Sequence, residues 1–154
     1  MKKAFFICFL LLTALLGSLA EAKEQELIEL GKTSKGIAYV DASNVVALKR
    51  DGRLFVLVPM EEHFTDQAFL KKLRTSKKGM EKASKTVYLY MFNNVGTEYC
   101  IPKRFVADEE GFVCADLGTD MQLKPVNNSV VLVKAYEAAY TVLEKKKRFA
   151  EMIQ

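Results

Sequence analysis

The chain lacks tryptophan altogether and has one histidine, three prolines and three cysteines in 154 residues. A single histidine, His63, cannot share a zinc site with a second imidazole, and Cys100 and Cys114 lack metal-ligand spacing. No phosphate loop or dinucleotide fingerprint occurs. The carboxylates are scattered, and the adjacent pairs Glu61-Glu62 and Glu109-Glu110 read as turns. Neighbours on an extended chain point apart and make poor acid–base partners. The reading is therefore of a protein that is not an enzyme, with no catalytic residue, no metal ligand and no bound cofactor. His63 with a carboxylate would support catalysis only inside a concave pocket. The net charge of +4 is too small to dictate a partner.

What is present begins with Met1-Lys-Lys3, an apolar run over Ala4–Leu16, the breaker Gly17 and a small-x-small site at Ala20-Glu-Ala22. This is the layout of a secretory signal peptide, and the run is shorter than the ~20 residues a spanning helix needs. The expected organisation is a cleaved signal over residues 1–22 and one exported domain over 23–154, with no transmembrane span after cleavage. The expected location is the periplasm, the cell surface or the medium. Cys8 is lost with the signal, leaving Cys100 and Cys114 as an even pair in an oxidising compartment.

The stretch Thr86–Leu117 reads as three strands and carries that pair. Thr86–Phe92 is β-branched and aromatic, Asn93-Asn-Val-Gly96 is a turn, and Thr97–Val106 returns. Asp108-Glu-Glu-Gly111 turns again into Phe112–Leu117. Pro102 predicts a bulge or a free edge in the middle strand. A Cys100–Cys114 disulfide is expected, although direct pairing would centre the hairpin at Ala107 and the turn residues centre it nearer Glu109.

Elsewhere, Glu24–Leu30 reads as a short strand or an arm, and Gly36–Val40 as a strand. Asp41-Ala-Ser-Asn44 reads as a capped turn. Asp51-Gly52 between apolar runs predicts a hairpin joining Val45–Lys49 to Arg53–Met60, with Pro59 ending the second strand. Thr65–Arg74 reads as a short helix with Phe69, Leu70 and Leu73 inward. Gly118–Asn128 reads as a loop. Val130–Phe149 is the clearest helix, capped by Asn127-Asn128-Ser129. The expected fold is α+β, one domain, an antiparallel sheet of about five to six strands with the C-terminal helix packed on one face.

Lys71, Lys72, Arg74, Lys77 and Lys78, with Lys82 and Lys85 beyond, form the most basic stretch. It is a candidate anion-binding surface for a polyanionic glycan, a nucleic acid or anionic lipid, or simply a solvated connection. Nucleic acid is disfavoured because no aromatic residue lies between Leu70 and Tyr88 to stack on bases.

Tyr39-Val-Asp41-Ala-Ser-Asn44, an apolar strand, Tyr99-Cys100, a hairpin to Phe112, and Pro125-Val-Asn-Asn-Ser129-Val before a terminal helix together resemble the surface-adhesin protein E-like domain family over about Gly36–Leu143. The chain departs from that pattern in having no tryptophan and in placing Asn127-Asn128 where glycine is usual. The resemblance implies an exported antiparallel sheet with helices packed on it that binds a host or surface macromolecule, and it implies no particular binding residues. The resulting expectation is an exported bacterial binding protein contacting a protein or polyanionic glycan. The alternative is a periplasmic inhibitor or immunity-type protein that blocks a partner enzyme.

Overall fold

The computed structural model describes residues 25–146. The expected signal segment and the end of the expected C-terminal helix lie outside the described residues. Eight antiparallel strands form one sheet: β1 (Leu27–Lys32), β2 (Gly36–Asp41), β3 (Val46–Arg50), β4 (Arg53–Phe64), β5 (Lys85–Asn93), β6 (Glu98–Ala107), β7 (Val113–Asp116) and β8 (Asp120–Pro125). Among the described residues two helices accompany it, α1 (Gln67–Arg74) and α2 (Val130–Lys145). The architecture is α+β as expected, with more strands.

The extra strands come from two long strands that each change partner halfway. β4 pairs with β3 through Arg53–Leu57 and with β2 through Met60–Phe64. β6 pairs with β8 at Glu98–Ile101 and with β7 at Phe105–Ala107. Each change falls at a proline. Pro59 lies in the gap between the β3 and β2 ladders, so β4 does not end there but continues to Phe64. Pro102 lies between the β8 and β7 ladders, and two residues, Ile101 and Pro102, oppose the single Tyr90 of β5. The bulge expected from Pro102 is present. A residue without an N–H is tolerated where a ladder is interrupted.

Local chemistry sets the connections. Asp51 and Gly52 both take positive φ, 49° and 76°, making a two-residue turn between Arg50 and Arg53. Asp41 accepts from Ser43 N at 3.0 Å and Asn44 Nδ2 at 2.8 Å, capping a single 3-10 turn that kinks β2 into β3. Asp66 caps α1 through Phe69 N, and Ser129 caps α2 through Leu132 N. The segment Gly118–Asn128 is not all loop, because Asp120–Pro125 is β8.

One face of the sheet carries Val40, Val56, Val58, Met60 and Phe92, packed under Leu132, Ala135, Ala139 and Leu143 of α2. The two alanines are fully buried and let the helix axis approach the strands. Burying each of the larger side chains contributes about 2 kcal/mol. A satellite cluster of Met80, Ala83 and Val106 with Leu73 sits beneath α1 and the segment that follows it. The opposite face has its own apolar cluster, Leu57, Met91 and Cys100, flanked by Leu48, Phe55 and Leu89, and among the described residues no helix residue joins it.

Candidate functional site

The cysteines do not meet. Cys100 and Cys114 are both free. The turn is built on Asp108, which accepts Phe112 N at 2.9 Å on Oδ1, so Val106 pairs with Ala115 and Ala107 with Val113. Cys114 therefore lies beside Val106 and Ala107, whereas the β6 residues flanking Cys100 are opposite β8. Six residues of strand separate the two positions, roughly 20 Å, against the ~7 Å a bridge allows between Cα atoms. The expected disulfide is corrected on this ground. Turn chemistry centred the hairpin, and β8 occupies the edge beside Cys100. Burial, with Asp120 nearby, pushes the Cys100 thiol up; burial, Asp108 and Glu81 do the same for Cys114.

The basic stretch divides. Lys71, Lys72, Lys77 and Lys78 are exposed. Arg74 is not part of that surface in the same sense, because its Nε donates to Ala83 O at 2.9 Å and ties the following segment to α1. Beside it, Arg74 and Lys82 face Glu81, Asp108, Glu109 and Glu110 around a hollow of about 310 Å3. Lys85 leaves the solvated stretch entirely. It is 8% exposed, and its Nζ donates to both oxygens of Glu61 at 3.1 and 2.9 Å.

This ion pair belongs to a charged cluster on the helix-free face. The β4–β5 register places His63 opposite Lys85 and Glu61 diagonally from it. Glu61, 5% exposed, also contacts His63 Nε2 at 2.6 Å and accepts from Gln25 Nε2 at 3.2 Å. Gln25 reaches Asp41 as well, at 3.1 Å, so the arm entering β1 is pinned to β2 and β4. Burial alone would raise the Glu61 carboxyl. The hydrogen bonds and charges of His63 and Lys85 outweigh it and hold the group at about 2. A carboxylate so stabilised is a weak proton acceptor at neutral pH. His63 is in β4 rather than a turn, packs against the Tyr39 ring and lines neither hollow described here. Sequence spacing did not reveal this cluster, because 24 positions separate Glu61 from Lys85 and only the strand register joins them.

A larger open hollow of about 500 Å3 lies at the sheet end, between the β3–β4 hairpin and the β5–β6 turn. Leu54, Phe55 and Leu123 supply apolar surface, Lys49 and Arg53 cations, and Asn93, Asn94 and Glu98 polar groups. Exposed apolar side chains continue from Leu123 along the same edge. Of the eight large hydrophobics most open to solvent, Phe112, Val113, Leu117, Met121 and Leu123 fall within twelve residues on β7, β8 and their junctions. Phe112 is 68% and Val113 60% exposed.

Compared with protein-family models, curated proteins and solved structures, the chain finds no match in any of them. Among the described residues, no helix is long and apolar enough to cross a membrane.

Proposed function

We propose that the mature chain is an exported bacterial protein that acts by surface contact with a host or surface macromolecule, in the manner implied by its resemblance to surface-adhesin protein E-like domains. The observation that supports this reading best is the apolar outer edge of the sheet. Among the described residues, β7 and β8 pair only with β6, and this edge carries Phe112, Val113, Leu117, Met121 and Leu123 in solvent. Folded proteins commonly blunt such edges, and an apolar patch left open marks an interaction surface. Lys71, Lys72, Lys77 and Lys78 are a second contact surface if the partner carries polyanionic glycan. The reading is tested by presenting the chain from Lys23 onward to immobilised matrix proteins, sulfated glycans and anionic vesicles. Saturable retention on at least one supports it, and silence across all three refutes it.

A further inference from the structure

The β3–β4 hairpin sets two arginines against each other. Its register pairs Arg50 directly with Arg53, and Lys49 lies one residue away, opposite Leu54. Like charges facing across a strand pair are destabilising. The one acid in the turn compensates poorly. Arg50 Nε is 3.7 Å from Asp51 Oδ2, and the Asp51 side chain is 92% exposed. Exposed pairs of this kind contribute little. Two of these three cations, Lys49 and Arg53, line the 500 Å3 hollow, whose apolar surface is Leu54, Phe55 and Leu123. A local electrostatic cost set beside an open, partly apolar recess is the pattern of a binding site.

We infer that this hollow binds a carboxylate attached to a large apolar group. The carboxylate meets Arg53, whose guanidinium offers a charge-assisted fork on the face that also carries Phe55, whereas Lys49, paired with Leu54, lies on the other face of the hairpin. The apolar group lies on Phe55 and Leu123. Asn93, Asn94 and Glu98 line the same hollow, and the Glu98 carboxylate excludes a second negative charge. Both a peptide C-terminus bearing an apolar side chain and a free aryl or alkyl acid have this chemistry. The site shares only Leu123 with the outer-edge contact, so its failure leaves that reading standing.

The test uses 15N-labelled chain from Lys23 onward, titrated with acetyl-Leu-Phe as the free acid, with the same peptide as its C-terminal amide, and with decanoate. Acid-specific shifts at residues 49–55, 93–98 and 123 are expected, with the free acid binding about tenfold more tightly than the amide. Tighter binding of the peptide acid than of decanoate names a peptide end as the source, and the reverse names a free acid. Arg53→Gln removes the preference for acid over amide, Lys49→Gln leaves it in place, and Glu98→Gln keeps or strengthens it. All three variants change exposed side chains, and each is checked for a native amide spectrum. Equal binding of acid and amide, shifts confined to other parts of the sheet, or no shifts with any of the three compounds overturns the inference.

Discussion

The buried carboxylate at the centre of the helix-free face controls how the fold responds to acid. Glu61 has an ordinary value of 4.5 and is held at about 2 in the fold. The sign follows from linkage. Where the folded carboxyl is depressed, the unfolded chain binds the extra proton, so stability is full above about pH 5 and is lost as pH falls towards 2. Each tenfold change in proton affinity is about 1.4 kcal/mol, so this group contributes about 3 kcal/mol at neutral pH. Glu61→Gln removes that term and leaves Lys85, 8% exposed, without its counter-charge. Breaking a buried pair on one side costs about 3–5 kcal/mol. Urea unfolding of both forms at pH 7, 5, 4 and 3 isolates the effect. Asp120 and Glu81 are also held low, by Lys124 and by nearby backbone N–H groups respectively, and their contributions cancel in the difference between the two forms. The gap between native and variant should be widest at pH 7 and shrink as acid is added. A variant within about 1 kcal/mol of native at pH 7, or a gap that is flat with pH, would refute the assignment of Glu61 as the central group of the cluster.

Gly36→Ala should unfold the chain or cost about 3 kcal/mol or more by thermal melting, because the new Cβ would lie 1.7 Å from the His63 backbone oxygen, which cannot move without breaking the β2–β4 ladder. Replacing Lys71, Lys72, Lys77 and Lys78 by Ser should stay within about 0.5 kcal/mol of native, whereas Arg74→Ser alone should cost about 1–2 kcal/mol by losing its bond to Ala83 O. If the four lysines form an anion surface, the quadruple variant also elutes earlier from heparin. Without reductant, alkylation should modify Cys100 and Cys114 in the unfolded chain, and Cys114 first in the folded one because Cys100 is 1% exposed; protection of both in the unfolded chain would show a bridge.

Legibility in the sequence followed the range of the interaction. Asp51-Gly52, the Asp41 cap and the long apolar face of α2 are local, and each was readable from a few residues. β8 was readable in principle, since Met121 and Leu123 alternate with Asp120, Gln122 and Lys124, but Gly118 and Pro125 around so polar a segment suggested a loop. The passage of β4 through Pro59 depends on where β2 and β3 stop, which no local pattern encodes. The same holds for the Glu61–Lys85 pair and for the opposition of Arg50 and Arg53 beside the hollow. A register shared by two strands decides each of them. The cysteine pairing failed for the converse reason, that an even count suggested a bond the hairpin centre forbids.

The outer edge bears the proposed function, and retention of an edge variant on whichever matrix retains the native chain tests it most directly. Phe112→Lys with Met121→Lys changes two side chains that are 68% and 47% exposed, so melting should hardly move. The account predicts that retention falls by at least about tenfold while the melting temperature is kept. Undiminished retention of a folded variant would contradict it.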